Sequence, residues 1–310
     1  LICEALDDGI ITLNDTVTAS DYAASMGGSQ IWLESGEQMS VDDMLKAMVV
    51  VSANDCTVAL AEHLAGSEEA FVVRMNKRAG ELGMNSTNFV NSTGLPIENH
   101  YTCARDIAIM TRELLKHEVI LNYTGIWMDS LRGGEMGLTN TNKLIRYYPG
   151  ANGMKTGYTD TALYCLSATA KRDNLQLIAV VMKSPTSDQR FQDAKKLLDF
   201  GFANFSLFET KSLELPEMRL KGGLVPYTKL NCETQQILVA KGRESQIETV
   251  LELPESVDAP VKAGDVVGKV SYMLGDQLVA EKNIVVSEDV RRLGFLDMLQ
   301  IIFSKTTSMF

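Results

Sequence analysis

A lysine, a threonine and a glycine stand in succession at Lys155-Thr156-Gly157, just ahead of the apolar runs "ALYCLSATA" and "LQLIAVVM". A fixed cation, a hydroxyl and a stretch of uncovered backbone would together suit an anionic substrate lying along a strand edge. Glycine inside a strand weakens it and marks close approach by a ligand or a second backbone. A surface strand also carries a lysine for no reason beyond solvation, so the triplet needs a partner. One lies 155 − 52 = 103 residues upstream, where Ser52-Ala53-Asn54 interrupts the apolar helical run "MVVVSANDCTVAL". Serine and asparagine prefer caps and turns to helix interiors. The interruption is therefore either a plain cap for the next helix or a pair of polar groups held at a helix junction.

Other hydrolytic chemistries lack their residues here. His63, His100 and His117 are the three histidines, and none has a second histidine or carboxylate at metal-ligand spacing. Neither a metal site nor a histidine triad is expected, and no cofactor. The five cysteines (Cys3, Cys56, Cys103, Cys165 and Cys232) are odd in number, far apart and without a C-x-x-C pair, which argues against a disulfide framework or a zinc site. A net charge of −11 speaks against nucleic-acid binding, since phosphate contacts need clustered Lys and Arg. With 310 residues, 45% hydrophobic and 22% charged, the chain has ordinary globular composition and room for two domains.

The elements that must position these triplets read as follows. "SVDDMLKAMVVV" carries Ser40 as N-cap with Asp43 three residues on, a capping-box pattern. Two further helices follow, the second closed by Gly83. "YTCARDIAIMTRELLKH" starts from Thr102 as N-cap and shows an apolar stripe of Ile107, Met110, Leu114 and Leu115. Three strands, about 153–159, 163–172 and 175–184, are separated by breaks short enough for antiparallel neighbours, and "DQRFQDAKKLLDFGFANF" is a helix that packs back on them. Near residue 208 the composition changes to short β-branched segments ("QILVA", "VVGKVSYML", "KNIVVS") broken by glycine- and proline-containing turns. The expected organisation is a catalytic domain at 1–207, a small all-β domain at 208–287 and an amphipathic helix at 288–310. The apolar run of that helix falls short of the ~20 residues that span a bilayer. It would lie in a membrane interface or dock on its own β domain. At the other end, "LICEALDDG" opens a helix without a cap, a signal peptide or an initiator methionine, and the chain is expected to be truncated there.

In these features the chain resembles the serine-type D-alanyl-D-alanine carboxypeptidases, the low-molecular-mass penicillin-binding proteins. The triplets Ser52-Ala53-Asn54 and Lys155-Thr156-Gly157 belong to the motif set S-x-x-K, S-D-N and K-T-G of penicillin-binding proteins and β-lactamases. The likeness extends over "GGSQIWLESGEQMSVDDMLKAMVVVSANDCTVALAEHLAGS", "FVNSTGLPIENHYTCARD" and "YYPGANGMKTGYTDTALYCLSATAKRD", and on through the β domain and tail. It implies an α/β (α+β) DD-peptidase fold with an antiparallel sheet flanked by helices. It also implies a serine acyl-enzyme formed on the D-Ala-D-Ala end of peptidoglycan stem peptides, and penicillin binding. By the same resemblance Ser52 relays a proton to the leaving amine and Asn54 holds the lysine and the substrate amide. Lys155 and Thr156 grip the terminal carboxylate, Gly157 admits the substrate, and the Tyr158 N–H supplies half of an oxyanion hole.

Two departures stand out. No S-x-x-K occurs in the 310 residues, so the nucleophile is expected upstream and the chain as numbered is expected to be inert. Leu163 stands where the family usually has glycine, and Tyr158 where it often has histidine. The rival readings are a β-lactamase, for which no deacylating glutamate stands out, and a cell-wall-binding pseudoenzyme. The expected location is extracytoplasmic, peripheral on the outer face of the cytoplasmic membrane.

Overall fold

The computed structural model describes residues 1–300 and divides the chain into two compact units, Leu1–Phe202 and Ala203–Phe310. In the first unit the expected caps explain most helix starts. Ser40 Oγ accepts from the Asp43 N–H at 3.0 Å and opens the Val41–Val50 helix. Ser67 does the same for Glu68–Glu81, and Asn54–Ala65 ends at Gly66 with φ +86°. One cap differs from expectation. The Ala104–Leu114 helix is preceded by Cys103, while the Thr102 hydroxyl bonds to that of Thr87 instead. The apolar stripe of this helix is only half-buried; its buried residues are Asp106 and Thr111. Asp106 is held inward because it accepts from Ser86 N and from the Thr87 hydroxyl.

The three strands form one antiparallel sheet in the order Ala151–Thr159, Leu163–Arg172, Leu175–Ser184. Its register sets Lys155 opposite Ser167 and Gly157 opposite Cys165. The Ser187–Asn204 helix packs on this sheet through Phe191, Ala194 and Leu198 against Leu166, Ala168 and Ala179. Met154 joins the other core, built from Val41, Met44, Leu45, Val50, Leu60 and Ile31. The strand that carries the lysine triplet therefore runs along the helical core that contains the Ser52 junction. Gly153 is demanded by packing, since a Cβ there would stand 2.8 Å from Thr169 Oγ1.

The second unit is β-structure around Ile237, Val239, Val270, Tyr272 and Ile284. Gln277–Val286 and Val266–Leu274 are the inner strands of a four-stranded sheet. Strand Met218–Lys221 pairs in parallel with Ser256–Asp258. Residues 295–300 are helical, with Phe295 and Leu296 exposed. Residues 288–294 of the expected tail helix are not helical, because Val290 and Arg292 form β-bridges with Val261 and Gly223; the rest of that expectation, 301–310, lies outside the described residues.

Candidate active site

Ser52 occupies the two-helix junction in a left-handed conformation, φ +66°. It does not cap the Asn54–Ala65 helix, whose flanking residue is Ala53 and which has no side-chain cap. Its hydroxyl instead meets Lys155 across the molecule, with Lys155 Nζ donating to Ser52 Oγ at 2.7 Å and to the Thr156 carbonyl at 3.0 Å. Burial, and after it the charge of Arg190, brings the Lys155 ammonium down to about 8. Such a lysine keeps its charge at neutral pH yet can exchange a proton with the neighbouring serine.

Asn54 is buried. Its Nδ2 donates to the Gly27 carbonyl at 2.8 Å, and its N–H to the Ser29 carbonyl at 2.7 Å. Gly28 has φ +82°, and a Cβ there would sit 2.9 Å from Asn54 Nδ2. Glycine at 28 is what allows the loop to close on the amide. Thr156 is buried and donates its hydroxyl proton to Thr141 Oγ1 at 2.7 Å. Thr141 in turn bonds through its N–H to the Val50 carbonyl, at the end of the helix that precedes Ser52.

Gly157 differs from Gly153. A Cβ at 157 would meet only the Cys165 Cβ at 3.9 Å, an ordinary contact, so the fold itself does not require glycine. The exposed backbone there is left open to a ligand. Tyr158 is exposed, stacks on Tyr164 with ring centroids 4.5 Å apart, and donates its hydroxyl to Asp160. Leu163, the residue that departs from the family pattern, takes φ +54°. The glycine expectation there matches a backbone that favours glycine.

Several residues of the site had no signal in the triplets. Arg190 is buried under the sheet, and its Nη1 donates to the Gly157 and Cys165 carbonyls at 3.1 and 3.2 Å. Asn142 Nδ2 donates to the Gly153 carbonyl at 2.8 Å, tying "TNTN" to the lysine strand. Asp55, fully buried, accepts from the N–H groups of Ile31, Leu33 and Cys56. Only the run of asparagines in "TNTN" could have been noticed in advance, because buried asparagines must find partners. Among the described residues no group of three His, Cys, Asp or Glu side chains is arranged to hold a metal ion.

A serine–lysine pair and a Lys-Thr-Gly edge strand on a helix-flanked antiparallel sheet define a serine hydrolase fold of the β-lactamase and DD-peptidase class. A family model described as D-alanyl-D-alanine carboxypeptidase matches residues 1–186, and a second, described as the C-terminal domain of penicillin-binding protein 5, matches 233–292. The chain belongs to the D-alanyl-D-alanine carboxypeptidase family. It is 41% identical over 307 residues to the D-alanyl-D-alanine carboxypeptidase DacF of Bacillus subtilis, spanning 97% of this chain and 79% of that one. Penicillin-binding protein 5 of Haemophilus influenzae is a structural neighbour with a TM-score of 0.81 and 35% identity, covering 94% of this chain and 87% of its own. Penicillin-binding protein D2 of Listeria monocytogenes, solved in its cefotaxime-bound form, aligns with a TM-score of 0.56 and 30% identity over 65% of this chain and 82% of its own.

Proposed function

We propose that this is the substrate-holding part of a D-alanyl-D-alanine carboxypeptidase site, which releases the terminal D-alanine of peptidoglycan stem peptides through an acyl-enzyme on an S-x-x-K serine that these 310 residues do not contain, and which binds penicillin at the same place. The observation that carries the reading is the 2.7 Å contact between Lys155 and Ser52, which joins two triplets 103 residues apart. Lys155 and Thr156 hold the substrate carboxylate, Gly157 lets the peptide lie along the strand, and Asn54 orients the substrate amide. Ser52 passes a proton between the lysine and the leaving nitrogen, and the Tyr158 N–H stabilises the developing oxyanion. A calorimetric titration with a diacetyl-lysyl-D-Ala-D-Ala peptide tests the clamp. The free acid binds, and the C-terminal amide binds at least tenfold more weakly; equal affinities would remove the carboxylate clamp.

The 310 residues by themselves are read as inert. Covalent catalysis needs an attacking atom, no S-x-x-K is present in them, and position 55, where Ser52 would need its lysine, is Asp55. Fluorescent penicillin should leave no stable adduct, and supplying in cis a segment that carries S-x-x-K should restore labelling at the new serine. A penicilloyl group found on Ser52 by peptide mapping would make the Ser52–Lys155 pair the nucleophilic dyad and overturn this assignment.

The location follows the tail. Residues 288–310 are proposed to lie in the outer interface of the cytoplasmic membrane, supported by the exposed Phe295, Leu296, Met298 and Leu299. The Arg291 guanidinium pairs with Asp297 and holds its carboxyl down to about 2, which leaves apolar area rather than charge to drive binding. Among the described residues no helix is long and apolar enough to cross a membrane. Co-sedimentation with neutral liposomes, insensitive to salt and lost on deleting 290–310, is the expected result. Equal sedimentation of the deletion would favour a docked helix.

A further inference from the structure

Trp32 has its backbone in the left-handed region, φ +55°, and its side chain is 68% exposed. Both features work against the fold. A bulky residue at positive φ is unfavourable where glycine or asparagine would serve, and an indole in water recovers nothing by burial. The conformation is nevertheless fixed from every side. The neighbours Ile31 and Leu33 are buried in the core, and their N–H groups both donate to the carboxylate of Asp55, at 3.0 and 3.1 Å. From the other direction Arg132 donates to the Ile31 carbonyl at 2.9 Å and the Trp32 carbonyl at 3.4 Å. Arg132 is itself gripped by Glu37 through Nε at 2.9 Å and Nη2 at 3.0 Å. The indole N–H is also satisfied, donating at 3.2 Å to Gln30 once that amide is turned with its oxygen toward the ring. What remains free is the face of the ring.

The loop that presents this ring is the one that closes on Asn54, through the Gly27 and Ser29 carbonyls. We propose that Trp32 is a substrate-recognition residue, an apolar platform for the part of the stem peptide that precedes its D-Ala-D-Ala end. The inference rests on the carboxypeptidase reading. With the terminal carboxylate at Lys155 and the scissile bond beside Ser52, the peptide continues past Asn54 and leaves along this loop. On this path the residues that precede the D-Ala pair are the ones that meet the ring. A rigid indole face binds methylene-rich side chains well at little cost in conformational freedom. Backbone strain held in place beside a reactive site points in the same direction.

The test compares two ligands on the 310-residue protein: acetyl-D-Ala-D-Ala, which ends at the clamp, and a full pentapeptide ending in D-Ala-D-Ala. Trp32→Ala should weaken the pentapeptide about three- to tenfold, the size of an aromatic packing contact, and leave the dipeptide unchanged. Trp32→Phe should recover most of the loss. In a Trp127→Phe background, where Trp32 is the remaining tryptophan, its emission should shift with the pentapeptide and not with the dipeptide. Equal weakening of both ligands, accompanied by a lower melting temperature, would make Trp32 a structural residue and overturn the inference. So would an unchanged pentapeptide affinity, including the case in which only a sugar-bearing muropeptide senses the mutation. If the unmutated protein binds neither peptide, the carboxypeptidase reading fails and takes this inference with it.

Discussion

Eight residues other than glycine adopt left-handed backbone in Leu1–Phe202, among them Trp32, Ser52, Arg132 and Leu163. In the described part of Ala203–Phe310 the left-handed positions are Gly222, Gly242, Gly264 and Gly275. Buried polar groups divide the same way. Among the described residues the first unit buries, beside hydroxyls such as Thr156 and Ser167, the charged and amide side chains of Asn54, Asp55, Glu68, Asp106, Asn140, Asn142 and Arg190, whereas the polar side chains buried in the second are hydroxyls, Thr210, Thr228 and Ser271. The two facts are connected. A strained non-glycine backbone persists only where its surroundings over-determine it, and buried polar side chains provide that by bonding to specific backbone groups. The β unit turns its corners with glycine and fills its core with apolar side chains. The first unit carries strain because its loops must present Ser52, Asn54 and the lysine strand to one another.

The largest effect should come from removing a member of that polar network. Asp55→Ala strands several buried N–H groups and should destabilise the first unit by about 3–5 kcal/mol. In urea its transition would then separate from that of the β unit; a joint, unshifted transition would deny that the network holds the loops. Next comes Lys155→Ala, which removes a charge-assisted contact of roughly 1.5–3 kcal/mol. Affinity for a D-Ala-D-Ala peptide should drop about tenfold to a hundredfold, while the folded mutant keeps its melting temperature within a few degrees. Unchanged affinity would take Lys155 out of the site.

The pH dependence of that binding has a defined sign. Lys155 is charged below about 8, so a carboxylate ligand is held at neutral pH. Affinity should fall as pH rises through about 8, by up to tenfold per unit. A flat profile between pH 7 and 9.5 would mean that the ammonium does not contact the carboxylate. The smallest expected effect contrasts the two ways of turning a corner. Gly264 has φ +91°, and a Cβ added there would meet nothing within 4 Å, so Gly264→Ala should cost about 1–2 kcal/mol through backbone strain alone. Leu163→Gly, at φ +54°, should change stability by less than ~1 kcal/mol, because relief of strain offsets the greater freedom of glycine in the unfolded chain. A large loss at 163 would show that the Leu163 side chain, not the turn, is what matters there.

Much of this was legible in the residues alone. Ser40 caps its helix as read, the three strands pair as antiparallel neighbours, and the two triplets meet through Lys155 and Ser52. Local signals suffice for caps and strands, because capping and strand alternation act over a few residues. The Thr102 cap failed for a long-range reason: Thr87, 15 residues away, takes its hydroxyl. Ser52 fits a simple cap equally well on local grounds; its φ of +66°, the place of Ala53 in front of the helix and the 2.7 Å contact with Lys155 decide against it. Residue types and their order thus determined the family, the architecture and which side chains are candidates for the chemistry. Tertiary structure alone decided that Arg190 supports Gly157, that Asp55 and Arg132 hold Trp32 at positive φ, and that burial draws the Lys155 ammonium down to about 8. Each depends on groups brought together from distant parts of the chain, where desolvation and fixed hydrogen bonds replace sequence spacing as the governing physics.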